Sequence, residues 1–356
     1  MTIRNLESLF KPKSIALIGA SKKPSSVGAV LAKNLFAGGF DGPIMPVNPK
    51  HSFIRGVWAY PDPASLPATP DLAVIATPPD TLPSIIAALG ERGTKAAVVV
   101  SAGFGEARGR HGRELQQAML DAAKPYTLRI VGPNCLGVIF PGISVNASFA
   151  HLSPKTGRLA FVAQSGAIVT SMLDWAESRG VGFSHLLSLG DMADVDFGDI
   201  LDYLANQPET QAILLYMEAV TDARKFMSAA RAAARMKPVI VVKAGRHAEG
   251  ARAAASHTGA LAGTDAVYDA AFRRAGMLRV HSLGELFDAA ETLAMRCRPK
   301  GDRLAILTNG GGIGVLAADA VVDERARLAA LAPDTVTALE KILPATCSGE
   351  NPVDIR

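Results

Sequence analysis

Cysteine is scarce in this chain: Cys135, Cys297 and Cys347 are odd in number and lack metal-ligand spacing. They argue against a disulfide framework or a cysteine-bound metal and fit reduced thiols in a cytoplasmic protein. Aromatic residues make up only 6% of the chain, and the net charge of +4 is dispersed. The densest basic patch, Arg108, Arg110 and Arg113, has no aromatic residues interleaved with it, so nucleic acid is not an expected partner. No apolar run approaches the roughly 20 residues that span a bilayer. Met1-Thr2-Ile3-Arg4-Asn5-Leu6-Glu7 has no signal-peptide hydrophobic region, so no membrane association is expected.

What is present is small and apolar. About half of the 356 residues are hydrophobic, and Gly, Ala and Val abound. That mixture suits buried parallel strands under tightly packed helices, and the length suggests two or three domains. Apolar runs at Ser14 to Ile18, Ile44 to Val47, Leu72 to Ile75 and Ala96 to Val100 alternate with amphipathic stretches at Gly28 to Phe36 and Leu82 to Gly90. This spacing predicts a parallel, doubly wound, Rossmann-like α/β domain over residues 1–147. A second, flavodoxin-like α/β series is expected over 148–300. Its strands lie at Leu159 to Val162, Ile213 to Tyr216 and Val239 to Val242, with helices at Ala167 to Ser178 and Phe197 to Ala205. A strand from Arg303 to Leu307 and the glycines after it open a third domain over 301–356, which reads as interrupted.

The loops after these strands carry the chemistry. Gly19-Ala20-Ser21, followed by Gly28, exposes backbone amides at a helix start, where an anion binds well. It is neither G-x-G-x-x-G nor a Walker A loop. Lys50 stands where a NAD site would want an acid, and it favours a phosphate: the 3′-phosphate of coenzyme A or the 2′-phosphate of NADP. Thr77-Pro78-Pro79 offers a stiff apolar wall for an adenine or a pantetheine arm; Ser101 and Gly103 end the next strand, and Asn134 can bond an amide. Cys135 reads as a packing residue rather than a nucleophile.

In the second series, Ser165 and Gly166 open a helix whose amides suit a phosphate. His257 sits in the small-residue run Ser256-His257-Thr258-Gly259, where amides can approach a phosphate carried on the ring. Glu218, at a strand end, is a candidate to accept the second ring N–H of His257, so that the other nitrogen attacks phosphorus. Asp191, Asp194, Asp196 and Asp199 read as helix caps and loop carboxylates rather than a metal site, and no metal ligands are expected in the chain. The other six histidines have no motif around them.

The ordered series Gly19-Ala20-Ser21, Asn48-Pro49-Lys50, Ser101 to Phe104, Gly132-Pro133-Asn134, Gln164-Ser165-Gly166, Glu218 and Ser256 to Gly259 resembles the NDP-forming acyl-CoA synthetase superfamily. That superfamily includes succinyl-CoA synthetase α subunits and ADP-forming acetyl-CoA synthetases. The resemblance implies a CoA-binding first domain, a ligase domain with a phosphohistidine, and succinyl-CoA-synthetase-type sheets. It also implies an acyl phosphate intermediate, with ATP or ADP and Mg²⁺ bound by an ATP-grasp domain or β subunit, fused or separate, in an oligomer.

Leu35 to Phe40, Ala64 to Pro67, Leu173 to Ala176, Leu201 to Leu204 and Ala270 to Gly276 look most like the branch fused to a GNAT domain, the bacterial protein lysine acetyltransferases. Some members of that branch lack the histidine and are thought to sense acyl-CoA. Two other functions therefore stay open beside an ADP-forming acid–CoA ligase: a non-catalytic CoA or acyl-CoA sensor, and an NADP-dependent oxidoreductase.

Overall fold

The computed structural model describes residues 3–104, 109–250, 252, 264–295, 300–344 and 349–355. The four-residue apolar runs become strands buried on both faces, because helices cover the sheet on each side. β1 (Ile15–Ile18), β2 (Ile44–Val47), β5 (Leu72–Ile75), β6 (Ala96–Val99) and β7 (Arg129–Val131) form one parallel sheet in the order β2-β1-β5-β6-β7. A two-stranded hairpin, β3 (Phe53–Ile54) and β4 (Val57–Trp58), follows β2. Helices α2 (Val27–Ala37), α3 (Leu82–Glu91) and α4 (Gly109–Ala123) connect the strands, and a short α1 (Glu7–Phe10) precedes them.

The second sheet is larger. β8 (Gly137–Phe140), β9 (Val145–Ser148), β10 (Thr156–Ala163), β11 (Phe183–Ser188), β12 (Ala212–Met217), β13 (Val239–Lys243) and β14 (Leu278–Val280) run in the order β14-β13-β12-β10-β11-β8-β9. The five strands from β10 to β14 are parallel, while β8 pairs antiparallel with both β11 and β9. β8 and most of β9 fall within the first 147 residues, yet their hydrogen bonds place them at the edge of the second sheet. Helices α5 (Gly166–Arg179), α6 (Phe197–Ala205), α7 (Ala223–Met236), α8 (Asp265–Ala275) and α9 (Leu283–Ala294) flank this sheet.

Residues 1–295 form one compact unit. One buried cluster runs through both sheets, from Leu17 and Val98 to Val162 and Leu215. Phe10 of α1 stacks on Tyr203 of α6 at 4.0 Å, and the Tyr203 hydroxyl donates to Glu7 at 2.9 Å. The second unit, 296–356, contains β15 (Arg303–Leu304), β16 (Leu307–Thr308), β17 (Arg327–Leu328) and β18 (Val353–Asp354). The single strand expected at 303–307 is two short ones. β15 pairs with β17 and β16 with β18, both parallel. Among the described residues no helix is long and apolar enough to cross a membrane.

His185 of β11 is 4% exposed and lies edge-on to Phe10 and Phe140. Burial, with Lys11 and Lys237 adding to it, holds its pKa down at about 4, so the folded protein keeps it neutral. The unfolded chain takes up a proton near pH 6.5 and the folded chain does not. This histidine's contribution is therefore present above pH 6.5 and lost as the pH falls toward 4. We expect about 3 kcal/mol of stability to go over that window through His185, following the linkage between proton uptake and folding. Urea titrations at pH 7 and pH 4.5 check it: His185→Phe should flatten the difference, and an unchanged difference contradicts it.

Candidate active site

Parallel strands deliver their carboxyl-end loops to one side, where open α/β sheets bind ligands. Here both sheets do so into one cleft of about 650 Å³. From the first sheet come Ala76, Thr77 and Pro79 after β5, Val100 to Ala102 after β6, and Asn134 and Cys135 after β7. From the second come Gln164 to Ala167 after β10, Gly190 and Asp191 after β11, and Glu218 after β12. Seven of the residues singled out from sequence, Thr77, Pro79, Ser101, Asn134, Ser165, Gly166 and Glu218, thus line one cavity.

Hydrogen bonds fix its walls. The Ser101 hydroxyl donates to Thr77 O at 2.6 Å, and the Asn134 amide nitrogen donates to Ser101 O at 2.9 Å. The Asn134 side chain donates to Asp191 at 3.1 Å, joining the two halves. Gln164 Oε1 accepts from the backbone N–H groups of both Glu218, at 2.6 Å, and Ala219, at 2.8 Å. Gln164 therefore sets where the buried Glu218, 8% exposed, leaves its strand. Its sequence signal was only its place beside Ser165 and Gly166. Ser165, the N-cap of α5, makes no side-chain capping bond, so among the described residues the first-turn amides of this 14-residue helix have no side-chain cap at the cleft. Burial, with the charge of Glu218 adding to it, pushes the Tyr216 hydroxyl up to about 12.

Cys135 is 3% exposed, and burial pushes its thiol up to about 12. Its Sγ donates to Val99 O at 3.3 Å. A thiol so held is not a nucleophile at neutral pH, in keeping with its packing role.

The remaining first-sheet candidates stand beside the cleft rather than in it. Gly19, at φ +85°, lies so close to β5 that a Cβ there would meet Ala76 O at 2.6 Å. Gly28 lies against Gly19 O, where a Cβ would come to 2.0 Å, so the start of α2 can pack on this turn only with glycine. Asn48 ties the neighbouring loops together: its side chain donates to Ala20 O at 2.7 Å and accepts from the backbone N–H of Lys50 at 2.7 Å. Lys50 is exposed, and Ser21 Oγ accepts from Lys23 N at 3.1 Å. Pro78 is exposed and Gly103 lies at φ +102°, both off the cleft lining. Ser256, His257 and Gly259 lie outside the described residues.

Part of the acidic cluster caps a helix as expected, but Asp196 and Asp199 are buried and ion-paired rather than solvated loop carboxylates. Asp196 and Asp199 form a capping box on α6, and Asp194 accepts from Arg129 and from Ile130 N. Among the described residues no group of three or more His, Cys, Asp or Glu could hold a metal ion.

Three family models match in order: a CoA binding domain over residues 13–141, a succinyl-CoA ligase like flavodoxin domain over 156–293, and a ligase-CoA domain over 304–356. The chain is 45% identical over 350 residues to the acetate–CoA ligase (ADP-forming) I of Archaeoglobus fulgidus, which covers 98% of this chain and 50% of the relative. It is 41% identical to the α subunit of the acetate–CoA ligase (ADP-forming) I of Pyrococcus furiosus, covering 99% of this chain and 76% of that subunit. The solved acetyl-coenzyme A synthetase 1 of Ca. Korarchaeum cryptofilum, in complex with phosphate and ADP, superposes with a TM-score of 0.92. It is 38% identical over 98% of this chain and 75% of that one. The chain thus spans half the length of one relative and three quarters of the others. It belongs to the NDP-forming acyl-CoA synthetase family, as an α-subunit-like chain.

Proposed function

We propose that this chain is the CoA-binding, α-subunit-like part of an ADP-forming acid–CoA ligase that acts on acetyl-CoA or a close acyl analogue. The observation that carries the reading is the shared cleft, where CoA-side residues of one sheet meet the uncapped N-terminus of α5 and the buried Glu218 of the other. Residues 1–147 would hold CoA, 148–300 the phosphohistidine, and 301–356 would begin a third domain. The loops at Gly19, Ala20, Ser21, Gly28 and Lys50 suit the nucleotide phosphates. Thr77, Pro78, Pro79, Ser101, Gly103 and Asn134 suit the pantetheine arm.

Phosphate held at Ser165 and Gly166 attacks the thioester carbonyl; the carbon–oxygen bond forms, the carbon–sulfur bond breaks, and CoA leaves as its thiol. A ring nitrogen of His257 then attacks the phosphorus of the acyl phosphate, and the carboxylate departs. Positioning and charge neutralisation carry most of such a transfer. Transfer onward to ADP with Mg²⁺ falls to an ATP-grasp domain or β subunit in an oligomeric assembly.

Incubation with acetyl-CoA and radiolabelled inorganic phosphate tests this reading directly. The expected result is acid-labile phosphate on the protein that His257→Ala abolishes. CoA binding with no label in the wild type would replace the ligase with an acyl-CoA-sensing region, of the kind that regulates a GNAT acetyltransferase.

A further inference from the structure

The charged residues that line the cleft are Asp191 and Glu218, and among the described residues no lysine or arginine lines it. An anion bound there must therefore be held by neutral donors. Gln164 supplies one that the protein's own hydrogen bonds leave unused. It follows β10 and is 7% exposed. Its backbone is held on both sides: its N–H donates to Tyr216 O at 3.2 Å, and its carbonyl accepts from Gly190 N at 3.2 Å.

The side chain is fixed as firmly. Oε1 accepts from the N–H groups of Glu218 and Ala219, and a flipped amide would set its NH2 group against those two donors. The partners thus determine which way the carboxamide faces. Nε2 donates to no described residue, since both bonds of the side chain are made by Oε1. Among the described residues the sealed side-chain polar atoms without a partner are Arg92 Nε, Thr94 Oγ1 and Arg279 Nε, and Gln164 Nε2 is not one of them. The nitrogen therefore opens on the cleft that Gln164 lines, beside Ser165 and the first-turn amides of α5. A helix start favours an anion, and a donor held without an acceptor in a largely buried residue points to one that arrives with a ligand.

We propose that Gln164 is a substrate-binding residue: its Nε2 donates to an oxygen of a phosphoryl group at the start of α5, while its Oε1 holds the backbone of Glu218 and Ala219. One planar amide then spans the phosphate and the strand end that carries Glu218, and it sets their spacing. The use of that phosphate in acyl transfer rests on the ligase reading; the binding of phosphate by Gln164 does not. A glutamine whose work was only to pin residues 218 and 219 would leave its NH2 group indifferent to phosphate.

The test is a titration of the nitrogen-15-labelled wild-type protein with inorganic phosphate, following the Gln164 carboxamide protons by NMR. They should shift, and exchange more slowly with water, with the same midpoint as the backbone amides of Gly166 and Ala167. Phosphate that moves those two amides and leaves the carboxamide unchanged overturns the proposal, as does phosphate that moves none of them. A carboxamide that responds to acetyl-CoA alone and not to phosphate overturns it too. Gln164→Glu keeps an oxygen for the N–H groups of residues 218 and 219 but replaces the donor with an acceptor. Phosphate should then bind about 10–100-fold more weakly, the range for losing one hydrogen bond to a charged group; affinity within about twofold of wild type contradicts the proposal. Its added charge also repels phosphate, so the wild-type carboxamide signals decide, and they decide equally if the variant does not fold. A wild type that takes no label from acetyl-CoA and phosphate, yet shows the carboxamide protected by phosphate, would remove the ligase reading and leave Gln164 as a phosphate ligand.

Discussion

Arg129→Met should cost about 3–5 kcal/mol of folding stability, the range for removing one partner from a buried ionic network. Arg129, its side chain only 14% exposed, binds Asp194 at 3.0 Å and Asp199 at 3.2 Å and donates to Arg4 O at 3.3 Å. Lys225 completes the network, 2.9 Å from both Asp196 and Asp199. The arginine belongs to β7 of the first sheet, while Asp194 and Asp196 lie between β11 and α6 of the second and Asp199 in the first turn of α6. The pairing therefore welds the two halves of the cleft. Asp199, with its side chain 2% exposed, already has its carboxyl raised by burial, against the pull of Lys225 and Arg129. Without Arg129 that carboxyl rises further, and its protonation at low pH relieves the unpaired charge. The loss should accordingly be larger at pH 8 than at pH 5 in urea unfolding. Arg129→Met with Asp199→Asn should recover about 1–3 kcal/mol, the coupling typical of groups in one network. A loss under about 1 kcal/mol would put the network among surface pairs and refute its welding role.

The sequence revealed those parts of the fold in which burial is two-sided. β1, β2, β5, β6, β12 and β13 are continuous apolar runs because helices cover both of their faces, and their expected limits lie within a residue or so of the observed ones. β11 is not legible in the same way, because Ser184, His185 and Ser188 interrupt its apolar pattern. Each is buried: Ser184 is bonded to Leu159 O and Thr210, His185 to Thr210, and Ser188 to Leu136 N. Those partners are distant in the chain, so no local pattern announces them. The edge pair β8–β9 is hidden for a related reason, since its strands join a sheet whose other members come later in sequence.

The site divides the same way. Thr77, Ser101, Asn134, Ser165 and Glu218 could be named because each follows an apolar strand. That two sheets face a common cleft depends on the buried cluster between them, which no window of sequence contains. Gln164 shows in the sequence only as the first residue of the Gln164-Ser165-Gly166 run, because a glutamine at a turn is by itself ordinary. Its burial and its two backbone partners, Glu218 N and Ala219 N, show what it does.

Glu218→Gln should lower His257 labelling by roughly 10²–10⁴-fold while leaving CoA affinity within about twofold; the first range is that for losing a hydrogen-bonded acid or base partner. The amide keeps the shape and removes the charge. The backbone at 218 stays pinned, because Gln164 holds its N–H and that of Ala219 irrespective of the side chain. The CoA-side loops lie on the other sheet and bond to one another through Ser101, Thr77 and Asn134, so the substitution does not reach them. A carboxylate accepting a ring N–H favours the tautomer whose other nitrogen is free to attack, and it stabilises the positive ring that forms as phosphorus is taken up. A neutral amide can do the first through its oxygen but not the second, so rate suffers more than binding. Single-turnover labelling with isothermal titration of CoA separates the two. Labelling within about threefold of wild type would show that the ring needs no charged partner, because a charge lost from such a pair costs far more than that. Weakened CoA binding with an unchanged labelling rate would instead move Glu218 from the phosphoryl-transfer step to substrate binding.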